Sequence, residues 1–205
     1  MKVRTEARRA AILEEAARIF EEVGYERASM NDLAKRLGGS KTTLYGYFPS
    51  KELLFSAVVR VSATQHLSEA TEELKVGAER SDALEPLLLR FAERLLRVLT
   101  NDTRAIAVYR MVIAEAGRSD VGKLFYEAGP SECMSVLTKV LKRSMDEGLI
   151  RRVNPVVAAN QLTALITAET DQRLFEVNPA PVSLRTIKKM AERAVDMFLN
   201  GAVAR

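Results

Sequence analysis

Across 205 residues the chain carries almost no signal for a β-sheet. There is no Asn-Gly hairpin between alternating runs and no sustained apolar/polar alternation, the marks that strands leave in a sequence. Apolar residues recur instead at helical spacing. Ile12, Ala16, Ile19, Phe20 and Val23 trace one face; Leu84, Leu87, Leu88, Phe91, Leu95 and Val98 trace a second; Leu184, Ile187, Ala191, Ala194, Val195 and Phe198 trace a third. Glycine and proline interrupt this pattern only sparsely, so an all-α fold of about eight or nine helices is predicted.

Composition excludes several classes. Hydrophobic residues at 47% and charged residues at 28% fit a packed globular chain and exclude a disordered one. The longest weakly polar stretch, Val156 to Ala168, contains Asn160 and Gln161, too short and too polar for a bilayer span, and no signal-peptide pattern opens the chain. A single cysteine, Cys133, excludes an internal disulfide and a Cys-rich zinc site. The one histidine, His66, reads as a helix-surface or pocket-edge residue. With no phosphate loop and no persuasive carboxylate pair, no metal, cofactor or enzymatic activity is expected, and the location expected is the cytoplasm. The formal net charge of +4 permits a polyanionic partner without requiring one.

Six of the twelve Phe and Tyr residues fall in the first 55 positions, enough rings for a small separate core. The expected division is a domain over residues 1–52 and a larger helical body over 53–205. Within the first, Ser29 and Asp32 have the spacing of a capping pair. Met30, Leu33, Ala34 and Leu37 then share a helix face, Gly38 ends that helix, and Ser40 caps another. Two short helices across a three-residue turn form a helix-turn-helix, whose second helix enters the DNA major groove N-terminus first. That helix, roughly Ser40 to Tyr47, presents Lys41, Thr42, Thr43, Tyr45 and Tyr47, while Leu44 and Phe48 hold it to the core. Lysine supplies charge, threonine methyls suit thymine methyls, and hydroxyls suit phosphates or base edges. Lys51 opens the next helix, where the helix dipole disfavours a cation; a nearby phosphate would compensate. Each of these residues also has a purely structural reading: Tyr45 and Tyr47 as core rings, Lys41 as a solvated surface charge, Thr43 as a fold support. Residues 24–51 carry five basic and two acidic side chains, a net +3.

The stretch from about Arg8 to Val59, above all Thr-Leu-Tyr-Gly-Tyr-Phe-Pro-Ser-Lys-Glu at 43–52, resembles the DNA-binding domain of TetR-family transcriptional regulators. The resemblance implies an N-terminal three-helix domain, a helical ligand-binding and dimerisation body, and repression relieved by a small molecule. By position, it makes Ser29, Lys41, Thr42, Thr43, Tyr45, Tyr47 and Lys51 the DNA-contact candidates on double-stranded DNA. Two positions depart from the family's pattern: Gly39 stands where many members have Val, and Gly46 where a larger polar residue is common.

In the body, apolar residues from successive helices are candidates for an effector pocket: Leu88, Phe91, Met111, Cys133 and Met134, with Tyr109, Arg110, Glu115, Tyr126 or Gln161 as polar handles. Most are equally compatible with ordinary core. The helix after Lys51, running to about Val76, joins head to body as a possible lever. The last two helices, about Asn154–Arg173 and Ser183–Ala202, are expected to pair as a homodimer's four-helix interface, with Leu162, Leu165, Ile166 and the small Ala158, Ala159, Ala164 and Ala168 at the contact. The alternative for them is closure of the monomer core. Two other functions are open: a helical ligand-binding enzyme with a vestigial motif, and a non-specific DNA-binding protein.

Overall fold

The computed structural model describes residues 5–62, 65–80 and 83–201. Lys2 and Arg4, which with Arg8 and Arg9 give the sequence a basic start readable either as solubility charges or as an arm beside a duplex, lie outside it, as does the side chain of His66. Eleven α-helical segments and one 3₁₀ turn, with no strand, make up the described residues, against the eight or nine helices expected. The helix expected to run from Lys51 to Val76 is described as two segments, α4 (Lys51–Ser62) and α5 (Gln65–Glu79), with residues 63–64 between them undescribed.

The chain forms two compact units. The first contains residues 1–64 and 107–128, the second 65–106 and 129–205. In the first, α1 (Glu6–Arg27) packs on α2 (Met30–Arg36) and α4, and α2 packs on α3 (Lys41–Tyr47). The end of α7 (Thr103–Glu115) and α8 (Val121–Glu127) complete this unit. Its core holds Ile12, Ile19, Phe20, Leu33, Leu44 and Phe55. Three rings meet edge to face or tilted at its centre: Phe55 lies 5.4 Å from Phe20 and 4.9 Å from Tyr25, and Phe20 lies 5.8 Å from Tyr25.

The helix α1 is broken at Gly24, whose φ of 80° suits glycine alone without strain. A second constraint acts there: a Cβ on Gly24 would stand 2.1 Å from the Glu115 carboxylate. That carboxylate accepts the Glu26 backbone N–H at 3.0 Å, so Glu115 is engaged at the α1–α2 junction and not free as an effector handle.

In the second unit α5, α6 (Leu84–Asn101), α9 (Pro130–Asp146), α10 (Pro155–Thr167) and α11 (Leu184–Asn200) enclose a core of Leu74, Leu88, Phe91, Leu96, Leu137 and Leu162, among others. Buried hydroxyls are satisfied by the preceding turn: Thr100 donates to the Leu96 carbonyl at 2.8 Å and Ser144 to Val140 at 3.0 Å. The helix α10 ends at Thr167, six residues before the expected Arg173. Thr167 and Thr170 hydroxyls donate to the Ala164 and Thr167 carbonyls, and the chain tightens into a 3₁₀ turn over Asp171–Phe175. Ala158, Ala159, Leu162 and Ile166, expected at a dimer contact, are buried in this unit's own core. The outer face of α10 carries Val157, Gln161, Ala164 and Ala168 instead.

Candidate nucleic-acid interface

The reading head is built from local signals. Ser29 caps α2, accepting the Asp32 N–H at 3.1 Å while its hydroxyl donates to the Asp32 carboxylate at 2.5 Å. At the other end Gly38 takes φ 59°, its N–H donates to the Lys35 carbonyl, and Gly39 N–H donates to Ala34. This pair of bonds is a Schellman stop, which turns the chain sharply after seven residues. Ser40 then caps α3 by accepting the Thr43 N–H at 3.1 Å. Leu44 and Phe48, 2% and 4% exposed, anchor α3 from beneath.

That anchoring leaves Lys41, Thr42, Thr43 and Tyr45 exposed on α3, with Tyr45 46% accessible. Lys41, Thr42 and Tyr45 are three and four residues apart, so they share one helix face. Among the described residues Lys41 has no ion pair, whereas Arg36 is bound to Glu22 at 2.6 Å and Glu15 at 3.5 Å. Thr43 is split between two roles, since its hydroxyl also hydrogen-bonds with that of Ser40 at 2.9 Å. Tyr47 is half-buried, and its hydroxyl accepts the Thr5 N–H at 2.9 Å.

Lys51 turns inward. Its ammonium donates to the carbonyls of Tyr25, Glu26 and Ala28 at 3.0, 3.3 and 3.3 Å and lies 4.3 Å from the Tyr25 ring centre. The cation that looked uncompensated at a helix N-terminus is thus compensated within the protein, by carbonyls left open where α1 ends. Beside it the Tyr25 phenol is pushed well above its usual range, chiefly by burial. The Ser50 hydroxyl and its own backbone N–H hold the Glu52 carboxyl below its usual range.

The proposed effector residues divide between the units. Leu88, Phe91 and Cys133 are buried in the second unit's core with Met134 packed against it, while Gln161 stands on the exposed face of α10. Tyr109, Met111 and Tyr126 belong to the first unit; Tyr109 and Met111 are half-buried and Tyr126 is 51% exposed. Burial pushes the Cys133 thiol up, which lowers its reactivity. An open cleft of about 520 Å³ in the second unit is lined by charged residues, among them Arg94, Arg97, Arg104 and Glu69, not by the apolar set. Among the described residues no group of His, Cys, Asp or Glu is placed to hold a metal, and no helix is long and apolar enough to cross a membrane.

Arg8 and Arg9 fall within the domain expected from the sequence, but their contacts inside the head were not foreseen. Arg8 donates to the Leu37 carbonyl at 3.0 Å and the Arg9 guanidinium lies 5.3 Å from the Phe48 ring centre. The unusual Gly39 was the available signal.

Residues 12–58 match the family model for bacterial regulatory proteins of the tetR family, and residues 86–201 match that for the AefR-like transcriptional repressor C-terminal domain. The nucleoid occlusion factor SlmA of Shewanella pealeana is 31% identical over 165 residues, 77% of this chain and 78% of that one. The uncharacterized HTH-type transcriptional regulator YvaF of Bacillus subtilis is 26% identical over 200 residues, 94% of each chain. The solved structure of the flavonoid-responsive regulator FrrA superposes with a TM-score of 0.71 at 27% identity, covering 95% of this chain and 96% of that one.

Proposed function

The chain belongs to the TetR family of DNA-binding transcriptional regulators, and on that premise we propose that it is a homodimeric repressor released from a near-palindromic operator by a small apolar or amphipathic effector. In this reading residues 1–52 carry the DNA-reading surface, on a core that Phe55 and its neighbours in the first unit complete, and the rest of 53–205 carries the effector response and dimerisation. The observation that carries the DNA half is the exposed face of Lys41, Thr42 and Tyr45 on a helix anchored by buried Leu44 and Phe48. Thr42 and Tyr45 take base edges, Lys41 takes phosphate, and Thr43 and Tyr47 lie beside them. Ser29 contributes as the cap that aims α2, and Lys51 from within, by holding the end of α1.

The repressor sense is supported by the AefR-like match over residues 86–201, and the small-molecule response by the likeness to FrrA. The effector site is assigned to the second unit's apolar interior around Leu88, Phe91, Cys133 and Met134. Effector favours a body conformation unsuited to DNA; a coupling of about 1–3 kcal/mol is sufficient for release. Dimerisation is assigned to α10 and α11 through the outer face of Val157, Ala164 and Ala168, joined by exposed Leu184 and Met197. The reading has no catalytic step and acts in the cytoplasm, where DNA is found.

Selection of duplexes from a random library tests it, together with sedimentation at micromolar concentration. The expected outcome is a dimer and a two-fold motif whose half-sites lie about 34–36 Å apart or at a multiple of that distance. A monomer that enriches single half-sites, or equal affinity for all duplexes, would overturn it.

A further inference from the structure

The start of α1 holds both the end of α2, from which the turn leads into the recognition helix, and the recognition helix's trailing end. Ahead of the turn, Arg8 Nη2 donates to the carbonyl of Leu37, the residue that closes α2, at 3.0 Å. At the trailing end of α3, the Tyr47 hydroxyl accepts the Thr5 N–H at 2.9 Å, and Arg9 lies over the Phe48 ring. The Leu37 carbonyl is an orphan of the helix end, and a guanidinium is a favourable donor there. Gly39 is what admits Arg8. Its backbone does not adopt the left-handed region, so conformation does not demand glycine. The Arg8 guanidinium occupies the space instead: a Cβ on Gly39 would lie 2.9 Å from Arg8 Nη2, the movable end of a long side chain, and would push it off its present position. A branched side chain at 39 and the Arg8–Leu37 bond therefore compete for one volume.

We propose that Arg8 is a positioning residue for base recognition: through the space left at Gly39 it fixes the turn that delivers α3, while Thr5 and Arg9 hold that helix's far end. The proposal rests on the DNA-binding reading above. It assigns the Arg8 charge to aiming the helix and not to a phosphate.

The test uses the full chain and the duplex that the unaltered protein selects from a random library, with a random duplex alongside. The variants are Arg8→Ala, Arg8→Lys, Gly39→Val and the double Arg8→Ala/Gly39→Val. Arg8→Ala is expected to weaken the selected duplex about five- to tenfold, the loss of one charged hydrogen bond. It leaves the random duplex and the salt slope unchanged. Gly39→Val gives a similar loss, the double variant is no worse than either single, and Arg8→Lys recovers part of the affinity. A slope smaller by about 0.9, with both duplexes weakened alike, would mean a phosphate contact and overturn the proposal. So would losses that multiply in the double variant. Thermal unfolding reads the same coupling without DNA: each single change lowers Tm by about 2–4 °C and the double by no more. If the unaltered protein selects no motif, the DNA-binding reading is what fails. Melting shifts that add would reject the Arg8–Gly39 coupling whatever the DNA result.

Discussion

Lys51→Met is expected to destabilise the reading head by about 2–3 kcal/mol while leaving the salt dependence of DNA binding unchanged. Methionine keeps most of the stem's packing and deletes the ammonium. Three carbonyls, of Tyr25, Glu26 and Ala28, then lose their shared donor, and the Tyr25 ring loses its cation. Thermal unfolding checks the first part; a fall in Tm on the order of 5–10 °C is the predicted size. Binding to a selected duplex at several salt concentrations checks the second. Each phosphate contact contributes about −0.9 to the slope of log K against log salt. An unshifted Tm together with a slope reduced by that amount would return Lys51 to the DNA backbone, the role its sequence position first suggested.

The larger effect belongs to Phe55→Ala. Phe55 is fully buried and touches both other rings of the head's central cluster. Truncation removes the transfer energy of the ring and leaves a cavity, at a cost of about 3–5 kcal/mol. A domain of ordinary stability has roughly 5–15 kcal/mol in all, so a large share of the head's margin is lost. The expected results are an unfolding transition lowered by on the order of 10 °C and weakened DNA binding near 37 °C. Phe55→Leu fills much of the space and is expected to cost under about 1.5 kcal/mol. Equal effects of the two variants would show that the cluster is not the stabilising centre.

What could be read from the sequence was local. Ser29, Ser40 and Gly38 mark where α2 and α3 start and stop because capping and positive φ depend on a few adjacent residues. Leu44 and Phe48 are inward because helical spacing puts them there. The helix count ran low because short helices such as α8 carry too little periodicity to be separated by spacing alone.

Contacts between distant positions were not legible. Lys51 reaches acceptors 23 to 26 residues earlier, and Glu115 reaches an amide 89 residues away. No motif encodes such pairings. The faces of α10 stayed open for a related reason: its sequence is apolar nearly all round, so spacing alone did not choose between a dimer contact and the closure of the protomer's own interior by Ala158, Ala159, Leu162 and Ile166. Gly39 is the instructive case between these two. Its departure from a common valine was visible as an anomaly, and only its distance to Arg8 gave the anomaly a physical cause.

The central claim is that the exposed tip of α3 reads bases. Library selection with Thr42→Ala beside the unaltered protein tests it most directly. Thr42 is exposed in the first turn, and its loss should leave the head folded. The account predicts relaxed base preference at one position in each half-site, worth about 1–3 kcal/mol there, with every other position unchanged. An identical motif, bound as tightly by both proteins, would contradict it.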